Sequence, residues 1–168
     1  MADSLGKKFE GVIKEAFEKV EGVSIDRIHD QMNGYAGSTN ISDFIMYKYP
    51  HEYYIECKSV HGNTLPFSNI TRNQWDGMLK KSMIEGVVAG VICWWVEKDT
   101  TRFIPIELLE VLKINGAKSI RYDYGSYLDA HTAGMNPHVA PFLRTHKIQG
   151  KKKRVFFDYD MEAFLNEF

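Results

Sequence analysis

The sequence predicts an α/β fold in which helices flank a central mixed β-sheet. Residues 42–47 and 53–59 are rich in β-branched and aromatic side chains, and the break between them contains Pro50, as expected of an antiparallel hairpin. A helical segment follows, and then the apolar run 86–96, which is typical of a buried central strand. A strand, a helix and a buried strand in this order indicate a parallel crossover, so the sheet should contain both strand orientations.

The chain begins with an amphipathic helix. Apolar residues from Phe9 to Val20 recur at helical spacing, and Gly22 follows as a typical terminating residue. Glu10 lies at the margin of the apolar stripe, where it could pair with Lys14 or lean towards the surface on which the helix packs. Residues 23–29 are predicted as a strand, and the glycine-rich stretch 30–41 as a loop.

Residues 60–67 after the hairpin are predicted as a turn-rich crossover that ends at the start of a helix, and that helix is marked by its start signal. Thr71-x-x-Gln74 is a capping box, which explains Gln74 as a reciprocal cap, although its side chain could also face the hairpin. The apolar face of this helix is predicted to contain Trp75, Met78, Leu79 and Met83. The elements predicted after it are an edge strand around 102–104, a helix over 105–112, short strands at 118–122 and 155–159, and a terminal helix over 160–168.

Three ionisable residues lie within the hairpin, where a packed strand would ordinarily carry none: Asp43, Glu56 and Lys58. Because strand side chains alternate, Glu56 and Lys58 must share one face while Cys57 points to the other. If Asp43 lies opposite them, two carboxylates and an ammonium converge, a set that suits Mg²⁺ and phosphodiester hydrolysis. The alternative is a cross-strand salt bridge without catalytic purpose.

Composition limits the classes of protein that fit. A chain of 168 residues with 44% hydrophobic and 26% charged residues is expected to form one domain, with a core over 4–122 and a basic extension of the same domain over 123–168. No apolar run is long enough to span a bilayer, and the first residues lack an export signature, so we expect a cytoplasmic protein. The two cysteines are predicted as core residues, and His131 and His138 lack zinc-site spacing.

The net charge of −1 conceals an asymmetry. Residues 113–154 contain nine lysines or arginines and two acidic residues, an excess of +7, so the remainder carries −8. Such an excess is typical of a surface that holds phosphate backbones, although the run 151–154 alone could be a solvated tail. The candidate DNA-contacting residues are Arg72, Lys118, Arg121, Lys151, Lys152, Lys153 and Arg154.

The order of these elements and residues resembles the PD-(D/E)xK nuclease superfamily. Within it, the chain looks like the RecU-type Holliday junction resolvases, and in particular a phage-encoded one. The discriminating stretch runs from Glu56-Cys57-Lys58 through 63–67 and 69–71 to Gln74, and it is followed by the glycine-led apolar strand 86–95. Pro105-Ile106 before a helix and residues 118–120 also look similar to that family.

The resemblance implies a restriction-endonuclease-like fold and a role for each site residue. Asp43 and Glu56 would bind Mg²⁺, for which Mn²⁺ would substitute, and Lys58 would be the catalytic lysine. Glu10 would be the acid of the first helix, and Gln74 the helix residue that lines the site. Ser42 stands where the superfamily has proline. The resemblance further implies a homodimer that cuts four-way DNA junctions by paired symmetric nicks, although the loop 30–41 is short for the stalk with which such enzymes engage a junction.

Three functions therefore remain open from the sequence. The first is a junction-resolving endonuclease, and the second is a restriction- or repair-type nuclease that acts on linear or branched duplex DNA. The third is a DNA-binding module that has lost catalysis. The charged set in the hairpin argues against the third function, because a decayed site has no reason to keep charges on packed strands.

Overall fold

The computed structural model describes residues 4–29, 40–127 and 138–168, which form a six-stranded mixed sheet with helices on both faces. The helices are α1 (Leu5–Glu18), α2 (Arg72–Ser82), α3 (Ile106–Ile114) and α4 (Met161–Leu165). The strands are β1 (Ser24–Arg27), β2 (Phe44–Lys48), β3 (His51–Val60), β4 (Thr64–Pro66), β5 (Val87–Trp95), β6 (Thr100–Pro105), β7 (Ser119–Arg121), β8 (His146–Lys147), β9 (Gly150–Lys152) and β10 (Phe157–Tyr159).

The order of strands in the main sheet is β1-β2-β3-β5-β6-β8. The β2–β3 hairpin is antiparallel, and β3 pairs with β5 in parallel over nearly their whole lengths. The helix α2 makes the crossover between these two parallel strands. The predicted mixed sheet is therefore confirmed, including the hairpin and the parallel addition.

Side-chain alternation divides the core into two layers. Ile55 and Cys57 of β3 belong to the layer beneath α1 and α4, whereas Tyr54 and Val60 belong to the layer beneath α2 and α3. Every residue of β5 is buried, because helices cover this strand on both faces. Gly90 permits the close approach of β6, since a Cβ at this position would lie 2.3 Å from the carbonyl oxygen of Ile104.

Helix starts follow the local sequence closely. The Ser4 hydroxyl accepts a hydrogen bond from the backbone N–H of Lys7 and caps α1. Thr71 and Gln74 form the predicted capping box at the start of α2, with both reciprocal bonds present. These local signals position the first turns of the two helices that border the charged residues of the hairpin.

Three predictions about the surface and the strands were wrong. The segment around 102–104 is not an edge strand, because β8 pairs with β6 on its outer side. The stretch after β3, predicted as a turn-rich crossover, contains β4, which pairs with β7. Met83 does not belong to the apolar face of α2, since the helix ends at Ser82 and the Met83 side chain is 79% exposed.

The C-terminal residues fold back onto the first layer of the core. Tyr159, Met161 and Phe164 are buried against α1 and the sheet. Much of the predicted loop 30–41, and His131, lie outside the described residues. Across the described part of the chain, none of the helices combines the length and apolarity that crossing a membrane would require.

Candidate active site

The charged residues of the hairpin meet on the face of the sheet that α2 covers. Glu56 and Lys58 lie two residues apart on β3, and the Lys58 Nζ atom is 2.7 Å from Glu56 Oε1. Asp43 lies one residue before β2 rather than within it, and its backbone N–H donates to the carbonyl of Ile55. The predicted convergence of two carboxylates and one ammonium is therefore present in the structure.

Glu56 is the most buried member of this set, with a side chain that is 4% exposed. Burial, followed by the negative charge of Asp43, raises its pKa to about 7, while Lys58 opposes the shift. Its Oε1 atom accepts hydrogen bonds from Lys58 and Gln74, but its buried Oε2 atom has no donor. Two ionised carboxylates cannot donate to each other, so Glu56 can form a hydrogen bond with Asp43 only when one of the two is protonated.

Asp43 is held by the strand opposite it. Its Oδ2 atom accepts a hydrogen bond of 2.8 Å from the backbone N–H of Cys57. Burial raises the pKa of Asp43, and this bond together with the Lys58 charge partly offsets the rise. Cys57 itself points into the core, and burial raises the pKa of its thiol well above the usual value, so it is not a nucleophile.

Gln74 joins the first turn of α2 to the carboxylates. Its Nε2 atom donates a hydrogen bond of 2.8 Å to Glu56 Oε1. Its Oε1 atom accepts the capping-box hydrogen bond from the backbone N–H of Thr71. Gly77 lets α2 lie close to the segment before β2, because a Cβ there would lie 2.2 Å from a side-chain carbon of Ile41. The sequence reveals the capping box, but it gives no sign that Gly77 is needed for packing.

Glu10 of α1 approaches the same region and pairs with Arg27 of β1, not with Lys14. Burial and the nearby Asp43 raise the pKa of Glu10, and the Arg27 charge opposes them.

Arg27, missed by the sequence analysis, lines a polar cleft of about 420 Å³ that also contains Asp43 and Glu56. Lys7 lines the cleft as well. No periodic pattern could have identified these two cations, because both lie on exposed positions of ordinary elements.

The candidate DNA-contacting residues are spread over several elements. Arg72 is the first residue of α2, two positions before Gln74, and its side chain is 95% exposed. Lys118 precedes β7 and Arg121 ends it, where Arg121 pairs with Asp123.

The basic run 151–154 lies on and after β9, in the antiparallel pair that β9 forms with β10, and is not a free tail. Within the run, Lys152 pairs with Asp99. In the described part of the chain, no carboxylate forms an ion pair with Lys151, Lys153 or Arg154. All three are exposed to solvent, and the charges of Lys151 and Lys153 help to lower the pKa of Asp158.

The donor set fits a hard divalent cation. Asp43 and Glu56 line one cleft, and the Oε2 atom of Glu56 has no donor. Mg²⁺ commonly takes one or two protein carboxylates together with water and phosphate oxygens. No cluster of three or more His, Cys, Asp or Glu side chains suited to a metal ion occurs in the described ranges. A site built from Asp43 and Glu56 would thus need ligands from water or substrate, as Mg²⁺ sites usually do.

Comparison with known proteins gives a likeness of fold. No family model matches the chain, and no curated protein sequence matches it. Among solved structures, the chain is similar to Hjc, a Holliday junction resolvase from the archaeal hyperthermophile Archaeoglobus fulgidus. The two chains share 18% sequence identity with a TM-score of 0.47, over 61% of this chain and 78% of the resolvase chain. At this level, the likeness concerns the course of the backbone alone.

Proposed function

We propose that this protein is a Mg²⁺-dependent DNA endonuclease of the PD-(D/E)xK type, with Mn²⁺ able to substitute. The observation that carries the proposal is the convergence of Asp43, Glu56 and Lys58. The two carboxylates line the polar cleft, Lys58 contacts Glu56, and one buried oxygen of Glu56 has no donor. A salt bridge between Lys58 and Glu56 alone would not require a second, partly buried carboxylate near them. A cation-binding hydrolytic site accounts for all three residues.

Each residue has a distinct role in the proposed reaction. A divalent cation supplies Lewis-acid charge that activates water and neutralises the scissile phosphate. Asp43 and Glu56 hold that cation, and Gln74 and Lys58 fix the Glu56 carboxylate through its Oε1 atom. Lys58, whose side chain is 22% exposed, orients the attacking water through its ammonium group. Glu10, held by Arg27, is the acid contributed by α1.

We further propose that the substrate is a four-way junction and that the enzyme is a homodimer, as the resemblance to RecU-type resolvases from phage suggests. One chain carries one Asp43/Glu56/Lys58 site, but resolution of a junction needs two strand cuts. Two sites related by a twofold axis can make both cuts within one complex. Sedimentation should then give twice the 19.4 kDa chain mass, and a cruciform plasmid should become linear with little nicked circle.

A gel assay tests the reaction and its substrate together. Cleavage of a four-way junction, a matched linear duplex and a single strand is compared with Mg²⁺, with Mn²⁺ and with EDTA. We expect metal-dependent cleavage of the junction and little of the other two. Equal cleavage of the linear duplex would favour a general duplex endonuclease. DNA binding without cleavage in any metal would favour a non-catalytic module.

A further inference from the structure

Gln74 belongs to two hydrogen-bonding systems at once. Its Oε1 atom accepts a bond of 3.0 Å from the backbone N–H of Thr71, and its Nε2 atom donates a bond of 2.8 Å to Glu56 Oε1. A backbone N–H can only donate, and an ionised carboxylate can only accept. The side-chain amide therefore has one orientation that satisfies both partners.

The capping box does not by itself explain why residue 74 is glutamine. Glutamate serves equally well at this position of a capping box, and a negative charge in the first turn of a helix is favourable. A glutamate here would place another carboxylate against Glu56, which already has Asp43 beside it. Glutamine keeps the acceptor that Thr71 needs and presents a donor to Glu56.

This arrangement determines which oxygen of Glu56 remains open. Both donors that reach Glu56, the Gln74 amide and the Lys58 ammonium, bind its Oε1 atom. Its Oε2 atom is left buried and without a donor, and the charge of Asp43 acts on the same carboxyl group. The hydrogen bonds thus leave free the oxygen that a cation shared with Asp43 would need.

We propose that Thr71 is a positioning residue of the active site, and that its backbone N–H orients the Gln74 amide so that Glu56 presents Oε2 to the cation. The inference rests on the proposed function. Groups that orient metal ligands from outside the coordination shell commonly change metal affinity or activity by about 10–100-fold when they are removed. Thr71 would act in this way through a main-chain atom.

The backbone at Thr71 permits a pair of substitutions that isolates the N–H. Its φ of −66° is the value that proline imposes, and the φ of −102° and ψ of 119° at Ile70 are extended, as proline requires of the residue before it. Thr71→Pro removes the hydroxyl cap and the N–H donor. Thr71→Ala removes only the hydroxyl cap and is the matched control, so the difference between them reports on the N–H.

The experiment measures Mn²⁺ affinity by calorimetry, without DNA, together with the thermal midpoint of each variant. We expect both variants to lose thermal stability, because both lack the hydroxyl cap. Thr71→Pro should also bind Mn²⁺ about tenfold more weakly, whereas Thr71→Ala should stay within about twofold of the parent. Equal affinity of the two variants for Mn²⁺ would overturn the proposal.

A double-mutant cycle tests whether Thr71 acts through Gln74. On a Gln74→Met background, which lacks the amide, Thr71→Pro should weaken Mn²⁺ binding no further than Thr71→Ala does. An additional tenfold loss on that background would contradict the proposed route.

The orientation of the amide also has a readout that does not depend on metal. The side-chain NH₂ resonances of Gln74 in a ¹⁵N-labelled sample should shift in Thr71→Pro and stay in place in Thr71→Ala. If the parent chain binds no Mn²⁺ but the resonances behave in this way, the proposed function fails while the orienting role of Thr71 stands. Unchanged resonances in Thr71→Pro would remove that role.

Discussion

Two glutamates of this chain, Glu56 on β3 and Glu107 in the first turn of α3, share several electrostatic features and differ in their surroundings. Burial raises the pKa of each to about 7, and each has a buried Oε2 atom without a hydrogen-bond donor. Glu56 lies among Asp43, Lys58 and Gln74. The backbone N–H of Glu107 and the hydroxyl of Ser82 partly oppose the rise in the pKa of Glu107. Within the described residues, no lysine, arginine or histidine pairs with Glu107.

The environment of Glu107 is also different in polarity. It lines a groove of about 760 Å³ whose rim includes the exposed side chains of Met83 and Ile84. This cavity is the larger of the two, yet no charged side chain is among the causes that shift the pKa of Glu107. A raised pKa reports that a carboxyl is buried, whereas chemistry requires that unlike groups converge on a point that a substrate can reach.

The largest expected difference between the two glutamates is in catalysis. Glu56→Gln should lower cleavage by at least about 100-fold, because it removes charge from a proposed metal ligand, and Asp43→Asn should do the same. Glu107→Gln should leave the cleavage rate within about twofold of the parent. The gel assay measures the rates, and DNA binding in EDTA should be similar for all three variants. Undiminished cleavage by both Asp43→Asn and Glu56→Gln would remove the hairpin from the mechanism.

Lys58 gives the second test, because its ammonium lies beside Glu56, whereas no lysine among the described residues pairs with Glu107. Lys58→Arg keeps the positive charge but replaces a compact donor with a planar guanidinium, so we expect a loss of about 100-fold in turnover. Lys113→Arg is the matched control, because Lys113 lies over the ring of Trp75, where arginine stacks equally well. Turnover near that of the parent in Lys58→Arg would mean that Lys58 serves only to balance charge.

The raised pKa of Glu107, which has no cationic partner among the described residues, should make the stability of the protein depend on pH. Its pKa rises from 4.5 in the unfolded chain to about 7 in the folded one, so its contribution to stability is complete below pH 4.5 and is lost as pH rises through 7. In urea unfolding at pH 8, the free energy of unfolding of Glu107→Gln should therefore exceed that of the parent by up to about 3 kcal/mol. The difference should be smaller at pH 4. A difference that does not change with pH would contradict the raised pKa.

The cations of the basic run 151–154 also differ in whether they form an ion pair. Their replacement is expected to have the smallest effect of the changes considered, and that effect is on DNA binding. Lys151, Lys153 and Arg154 form no ion pair with a carboxylate among the described residues, whereas Lys152 pairs with Asp99. Replacing the three unpaired cations with glutamine should weaken binding to all DNAs alike and flatten the salt dependence by up to about 0.9 for each phosphate that is no longer neutralised. Lys152→Gln alone should change the slope less. An unchanged slope in the triple variant would mark the run as a solvated surface.

Local patterns were enough to predict α1, α2, the β2–β3 hairpin and β5, and to select Asp43, Glu56 and Lys58 as the charged residues of the hairpin. Helical spacing located α1, the capping box located α2, and strand alternation placed Glu56 and Lys58 on one face with Cys57 on the other. These signals are local, because each depends on residues within a few positions of one another. The convergence of Asp43 with Glu56 was also predictable, since a short hairpin limits the possible registers.

Relations between residues that are distant in the chain were set by the packing of the whole fold. The pairing of β8 with β6 turned a predicted edge strand into an interior one, and the end of α2 left Met83 exposed. Glu10 pairs with Arg27 on β1 instead of its helical neighbour Lys14. Such outcomes depend on how strands and helices stack. Neither spacing nor composition encodes them, because a side chain's partner across the fold is set only when the whole sheet has formed.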